Sequence, residues 1–177
     1  MNWSGSASGS ANPVSVTMSS GKVITASFSV PNYDIANALV IVSAPYTYTQ
    51  TTAGATTAVD DPVVTCILTP TQRYNSVWYR YTPALNSVIE VNTLGSAYDT
   101  ILSVWTGSQG ALVNRACNDD AVGLQSRLSV TVSTGVDYYM LVSGYTAVAS
   151  GTLKIAVTTK TYYGFGNNAT YIPLAIR

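Results

Sequence analysis

The sequence contains no histidine, and only 9% of its 177 residues are charged, compared with about 25% in an average soluble domain. Without histidine, the Ser-His-Asp and Cys-His arrangements of hydrolases cannot form, so acid–base catalysis would depend on carboxylates alone. Eight basic residues balance eight acidic ones, and a net charge of zero gives no electrostatic basis for binding nucleic acid. These absences predict a protein that is not an enzyme and does not bind nucleic acid.

Long apolar runs and cysteines are also scarce. No apolar stretch approaches the roughly 18 residues of a transmembrane helix, so we expect no membrane span. The only thiols are those of Cys66 and Cys117, and two cysteines without histidine cannot complete a zinc site. In an oxidising compartment they would form one disulfide, and the alternative is a pair of reduced buried thiols.

What the chain does contain is strand-forming sequence. Residues 127–133 (RLSVTVS) and 151–157 (GTLKIAV) alternate polar and apolar side chains, which indicates strands with one buried face. In other segments both odd and even positions are apolar, which is typical of central strands or of strands under a second layer. These segments are residues 39–42, 100–105 and 138–142. No window has helical spacing, and we predict an all-β fold, a jelly-roll-like antiparallel β-sandwich.

The pattern changes near Pro31, and it divides the chain into three parts. Residues 1–30 form an appendage in which 14–18 and 22–30 are predicted to pair as a β-hairpin. Residues 31–158 are the predicted sandwich, in which 76–81 and 87–93 are strands joined by a turn. Residues 159–177 are a C-terminal tail that contains a short apolar strand.

Four ordered motifs carry a resemblance to a known family. They are SVWYRYTP at 76–83, YDTILSVWTG at 98–107, ACNDD at 116–120 and GLQSRL at 123–128. This pattern, over about residues 34–157, resembles the bacterial pre-peptidase C-terminal (PPC-like) domain family. The resemblance implies a jelly-roll sandwich with a non-catalytic accessory role in secreted bacterial proteins, sometimes with calcium. It also implies the pairing of Cys66 with Cys117.

The N-terminal part resembles a different pattern. Its segments WSG (3–5), PVSVTM (13–18) and KVITASF (22–28) are similar to the closing half of bacterial internalin-type β-repeats. The resemblance implies that residues 1–30 are the end of a preceding repeat. We therefore expect the chain to be part of a longer bacterial protein that is extracellular or displayed at the cell surface.

The densest polar point of the sequence is a candidate calcium site. Asn118, Asp119 and Asp120 follow one another, and Asp99 and Ser126 are the other proposed ligands. Calcium prefers six to eight hard oxygen ligands, which carboxylates and carbonyls of neighbouring loops can supply. The alternative is a polar turn in which the Asx side chains cap backbone N–H groups.

Two tyrosines form a candidate ligand-binding surface. Tyr46 and Tyr48 are two residues apart, so their rings share one face of the chain where it is extended. Tyrosine combines apolar area with a polar tip, which suits stacking on sugars or burial at a subunit contact. The alternative is that both rings belong to the core or its rim.

Two non-catalytic functions fit these features. The first is a binding or adhesion module that recognises a polysaccharide, matrix or another surface protein. The second is a self-assembling subunit of an extracellular filament or sheath, in which a terminal segment adds a strand to a neighbouring copy. Low charge, the N-terminal hairpin and the apolar tail are the sequence features that favour the second function.

Overall fold

A computed structural model describes residues 2–11, 13–27, 30–67 and 73–160. Within these residues the chain forms eleven β-strands and one short 3₁₀ helix, Ile35–Asn37. The strands are β1 Asn2–Gly5, β2 Ile24–Ser27, β3 Leu39–Ile41, β4 Tyr46–Thr51, β5 Tyr74–Tyr81, β6 Ser87–Asn92, β7 Thr100–Thr106, β8 Val113–Asn118, β9 Arg127–Val132, β10 Tyr138–Gly144 and β11 Thr152–Lys160. In this part of the chain there is no helix long and apolar enough to cross a membrane.

Strands β4 to β11 form a jelly roll. One sheet has the order β4-β11-β6-β9, and the other has the order β5-β10-β7-β8 with β3 added beyond β5. Successive strands mostly alternate between the two sheets, and the resulting order is that of two interlocked Greek keys. The predicted all-β, jelly-roll-like sandwich is confirmed. Its pairings are antiparallel except for β3 with β5, which is parallel.

The central strands of the five-stranded sheet are buried on both faces. Its inner face packs on the four-stranded sheet, where Leu102 and Met140 meet Ile155 in the main core. Its outer face carries a second cluster, which includes Trp78, Trp105 and Leu141. Every residue of β7 is therefore buried, as predicted from the apolar residues at both its odd and its even positions.

A covering segment encloses that outer face. It is the stretch of residues 52–67 between β4 and β5, and Val64 within it is fully buried in the second cluster. The Asp61 carboxylate accepts hydrogen bonds from Trp78 Nε1 at 2.9 Å and from Ser76 Oγ, both on β5. At the end of the segment, Cys66 is joined to Cys117 of β8, which confirms the predicted disulfide.

The four-stranded sheet has one buried and one exposed face. Leu153, Ile155 and Val157 of β11 are fully buried, and their neighbours along the strand are more exposed. Strand β9 alternates in the same way from Arg127 to Val132. The alternation predicted for both segments is confirmed, because only their apolar parity faces the other sheet.

Two local predictions are wrong. The N-terminal appendage does contain an antiparallel pair, but β2 pairs with β1, and residues 14–18 form no strand. Strand β3 is not central. It lies at the sheet edge, where Val40 is 48% exposed and Val42, just after it, is 85% exposed. Apolar residues on both parities cannot distinguish a buried strand from an edge strand whose outer side chains remain exposed.

The division of the chain into three parts remains a prediction. Val30 is already part of the main core, and β11 continues to Lys160. The apolar strand predicted within 159–177 lies beyond the described residues, as does everything after Lys160. The connection at 82–86, predicted as a turn, carries the chain from β5 in one sheet to β6 in the other.

Candidate functional site

The three acids of the candidate calcium site converge at one end of the sandwich. Asp99 immediately precedes β7, and Asp119 immediately follows β8, which pairs with β7. Carboxylate oxygens of Asp99, Asp119 and Asp120 all lie within 4.8 Å of one another. The hairpin geometry therefore brings together residues that are about 20 positions apart in the sequence.

Within the described residues, the acidic cluster, defined as Asp99, Asp119 and Asp120, has no ion-pair partner. Among the described residues the one ion pair joins Arg80 to Asp137, outside the cluster. Within the same residues, Asp99 Oδ1 and Asp119 Oδ1 are buried without a hydrogen-bond partner. Partial burial raises the pKa of Asp119 to about 6, and the neighbouring carboxylates add to the shift.

The same causes act on Asp99. Its pKa is raised first by desolvation and then by the charge of Asp120. An acidic site in which two carboxyl groups resist ionisation gains stability from either a proton or a bound cation. Carboxylate oxygens are the ligands that Ca²⁺ prefers, so the three side chains fit that ion.

The other two proposed ligands hold the turn together. Asn118 Oδ1 accepts a hydrogen bond from the Arg127 amide at 2.9 Å, which is the Asx capping predicted as the alternative. Ser126 is fully buried, and its hydroxyl contacts the main-chain oxygens of Asp119, at 2.7 Å, and Thr100. These contacts fix the position of the main chain at Asn118 and Asp119.

Tyr46 and Tyr48 lie on β4, at the other side of the sandwich. Their ring centroids are 6.3 Å apart and their planes are inclined by 20°. Tyr46 packs against the main core, and burial raises the pKa of its hydroxyl. Tyr48 is 39% exposed, so only the outer ring of the pair is available to a ligand.

Beside Tyr48 is a groove of about 300 Å³ between the β4 edge and the segment that leads into β3. This β3–β4 groove is lined on one side by Val30, Pro31, Asn32, Asn37 and Leu39, and on the other by Tyr48, Gln50, Thr51 and Ala53. None of its lining residues carries a charge. Its walls are mostly apolar, with amide groups as the polar component.

Hydrogen bonds fix the amide wall of the groove. Asn32 is buried, and its side-chain Nδ2 donates to the Trp78 main-chain carbonyl at 2.9 Å. The main-chain carbonyl of Asn32 accepts a hydrogen bond from the Trp78 amide at 2.7 Å. Gln50 Nε2 then donates to Asn32 Oδ1 at 3.2 Å. Sequence patterns do not point to Asn32, Gln50 or Leu39 as site residues, because nothing in the sequence indicates that residues 30–39 lie against β4.

The solved structures to which this chain is similar include the two that follow. The chain is similar to the pre-peptidase C-terminal domain of a collagenase from Bacillus anthracis, with 14% identity over 68% of this chain and 94% of that one, and a TM-score of 0.45. It is also similar to a periplasmic inhibitor of g-type lysozyme from Aeromonas hydrophila, with 11% identity over 70% of this chain and 96% of that one, and a TM-score of 0.42. Likenesses at this level assign neither a family nor a function to the chain.

No model of a known protein family matches the sequence, and no curated protein sequence matches it. The resemblance of residues 1–30 to internalin-type repeats therefore remains a prediction.

Proposed function

We propose that this chain is a non-catalytic, extracellular binding module of a bacterial surface protein, and that its ligand lies in the β3–β4 groove against Tyr48. The observation that carries the proposal is the groove itself, which is about 300 Å³, preformed and bordered by an exposed aromatic ring. The disulfide supports the extracellular assignment, because such bonds persist in oxidising compartments.

The lining of the groove favours a neutral polysaccharide as the ligand. No charged side chain lines it, so an acidic or basic polymer would lose solvation without gaining an ion pair. The ring of Tyr48 offers a face for stacking, and the Asn37 and Gln50 side chains offer amide groups for sugar hydroxyls. A matrix or surface protein remains a candidate partner where it presents an uncharged extended segment.

The test is binding of the fluorescently labelled protein to an array of neutral and acidic glycans. We expect retention on neutral glycans, and a loss of about tenfold in affinity for Tyr48→Ala, which corresponds to about 1.4 kcal/mol of lost contact with the ring. Leu85→Ala is the matched control, because Leu85 is an exposed apolar residue of the β5–β6 connection. Equal retention of both variants would contradict binding at the groove.

We further propose that the acidic cluster binds Ca²⁺ as a structural ion. The support is three grouped carboxylates, two buried oxygens that lack partners among the described residues, and the absence of a cation that pairs with them there. Asp99, Asp119 and Asp120 would supply the carboxylate ligands, and the ion would remove the repulsion among them. Asn118 and Ser126 support the ligand loop through the hydrogen bonds described above.

Calcium binding is tested by thermal unfolding of the full chain with CaCl₂ and with EDTA. We expect a higher melting temperature with calcium at pH 7.5, and a smaller gain at pH 5, where the Asp119 carboxyl holds its proton. Asp119→Asn should abolish the gain, whereas Asp34→Asn, at an acid outside the cluster, should keep it. An identical melting temperature with calcium and with EDTA would exclude a structural ion.

A second candidate function is self-assembly into a filament or sheath. The observation that favours it is the β4 edge, which carries no charged residue and pairs within the described chain only with β11. Uncharged edges accept strands from other chains. Size-exclusion chromatography with light scattering separates the two functions, because the binding module is expected to elute as a monomer and the subunit as oligomers that grow with concentration.

A further inference from the structure

The orientation of the amide wall of the β3–β4 groove follows from the backbone of β5. The Trp78 main-chain carbonyl can only accept a hydrogen bond, so the side-chain atom of Asn32 that lies 2.9 Å from it is the Nδ2 donor. The Oδ1 atom of Asn32 therefore faces the other way, toward β4. Asn32 is 3% exposed, and its main-chain carbonyl also accepts from the Trp78 amide. The residue is thus held by both its main chain and its side chain.

Gln50, on β4, takes its orientation from Asn32. Because Oδ1 of Asn32 can only accept, the Gln50 atom that lies 3.2 Å from it is the Nε2 donor. A primary amide has two N–H groups and one carbonyl, and this contact uses one N–H. Within the described part of the chain, the second N–H and Oε1 of Gln50 have no partner. Gln50 lines the groove, so these are the two groups that it offers to a ligand.

Tyr48 and Gln50 lie on the same face of β4. They are two residues apart in one strand and both line the groove, so their Cα atoms are about 7 Å apart. A sugar ring that stacks on Tyr48 then has its edge within reach of the Gln50 amide. The apolar face of such a sugar meets the aromatic ring, and the hydroxyls at its edge meet the amide.

The Gln50 amide is the complement of two adjacent hydroxyls. Oε1 accepts a hydrogen bond and the neighbouring N–H donates one, whereas a sugar hydroxyl both donates and accepts. Hydroxyls on neighbouring ring carbons satisfy both groups at once, and a single hydroxyl leaves one of them without a partner when the ligand excludes water. Because Asn32 holds the amide before a ligand arrives, binding does not have to order it.

We propose that Asn32 positions the Gln50 amide, and that this amide selects a neutral sugar with two adjacent free hydroxyls beside the ring that stacks on Tyr48. This selection rests on the proposed binding function and deepens it, because it states which neutral polysaccharides the groove accepts. Asn32 acts through Gln50, since its own side chain is engaged by Trp78 and Gln50.

The first experiment measures binding to an array of neutral glucans, mannans and xylans. Each sugar is present in linkages that leave two adjacent ring hydroxyls free on internal residues and in linkages that do not, such as β-1,4-glucan and β-1,3-glucan. We expect the wild type to bind the second kind about tenfold more weakly, because one amide group then lacks a partner.

Gln50→Met keeps the length of the side chain and removes its amide. This variant should lose about tenfold in affinity for glycans with adjacent hydroxyls and should bind both kinds of linkage alike. Gln109→Met is the matched control, because it makes the same change at an exposed glutamine of the β7–β8 connection, and it should bind like the wild type.

The second experiment needs no ligand and measures the mobility of the Gln50 side-chain amide by nitrogen relaxation NMR. In the wild type we expect this amide to be as rigid as the backbone of β4. Asn32→Ser removes the acceptor of its N–H, and the Gln50 amide should become as mobile as an exposed side-chain amide while the backbone of β4 stays rigid. A purely structural role of Asn32 would change the melting temperature without this difference between side chain and backbone.

The outcomes separate the positioning role, the selection and the proposed function. A Gln50 amide that is mobile in the wild type, or equally rigid in Asn32→Ser, would overturn the positioning role, and the first of these results does not require the variant to fold. Equal affinity of the wild type and Gln50→Met, or of the wild type for both kinds of linkage, would overturn the selection. The proposed function would still stand if Tyr48→Ala lost affinity. If the wild type bound no glycan, the proposed function would fail, and the mobility of the Gln50 amide would still test its positioning by Asn32.

Discussion

The two lateral sides of this sandwich are built differently. On one side the edge strands β8 and β9 lie against each other, and the disulfide ties β8 to the covering segment. On the other side, a groove lies between β4 and the segment that leads into β3, and the β4 edge has no strand partner beyond β11 among the described residues. The comparison indicates that one side contributes to stability and the other is available for recognition.

The difference follows from the neighbours of each edge. At the closed side, the disulfide links β8 to the covering segment, whose Asp61 bonds to Trp78 on β5, farther across the same sheet. At the open side, the wall of the groove depends on amide hydrogen bonds of Asn32 and Gln50. Substitutions in the disulfide and in the covering segment should therefore change stability most, and substitutions in the β3–β4 groove should change binding.

The largest effect is expected from removing the disulfide. Cys66→Ala with Cys117→Ala frees a loop of 51 residues, which corresponds to a loss of about 4 kcal/mol in the free energy of unfolding. Urea denaturation followed by tryptophan fluorescence measures the loss. Wild-type protein in reducing buffer is the control and should behave like the double variant. A loss below about 1 kcal/mol would show that the covering segment does not need the link.

The next effect is expected at Asp61, in the covering segment. Asp61→Ala leaves the buried Trp78 Nε1 and Ser76 Oγ without this acceptor, which should reduce the free energy of unfolding by about 3 kcal/mol. Asp60→Ala is the matched control, because the side chain of Asp60, the preceding residue, is exposed. This substitution should cost less than about 0.5 kcal/mol. Similar losses for both variants would remove the role assigned to Asp61.

A smaller effect is expected from the acidic cluster without calcium. The pKa of Asp119 is about 6 in the folded protein, above the 3.8 of an unperturbed aspartate, so the folded state binds this proton more tightly. The stability that this proton provides is present below about pH 4 and is lost as the pH rises through about 6. Asp119→Asn should flatten this part of the stability profile and raise the melting temperature at pH 7 in EDTA. If the stability of the variant changed with pH in the same way as that of the wild type, the raised pKa of Asp119 would be contradicted.

The smallest stability effect is expected at the open side. Tyr48→Ala should cost less than about 1 kcal/mol, because much of the ring is exposed, whereas Tyr46→Ala should cost about 2 kcal/mol or more. The two variants are matched in chemistry and differ in burial. Thermal unfolding together with glycan retention separates a stability role from a binding role. If Tyr48→Ala destabilised the protein as much as Tyr46→Ala, Tyr48 would be part of the core.

Much of the fold could be predicted because its signals are local. The alternation of β9 and β11 and the apolar residues of β7 gave strand positions and burial close to those observed. The polar strands β4 and β8 were missed. Their residues have no alternating apolar pattern, since one sequence is YTYTQT and the other VNRACN, and both strands lie at sheet edges.

The candidate sites were predicted less completely. The structure groups Asp99 with Asp119 and Asp120, and Asn118 caps a backbone amide as in the alternative that the sequence left open. The buried hydroxyl of Ser126 became visible only with the hydrogen bonds. The importance of Asp61 was also missed. In the sequence it is one of two adjacent acids, and only the fold places it against the indole of Trp78.

The sequence by itself determined the class of protein. The absence of histidine, the low charge and the two-residue periodicity leave a β-sandwich with carboxylates, hydroxyls and aromatic rings as its chemistry, because composition and alternation are local properties of the chain. Only the tertiary structure decided which edges meet and which remain open. That outcome depends on the pairing of strands distant in sequence, such as β4 with β11, and no short segment encodes such a contact.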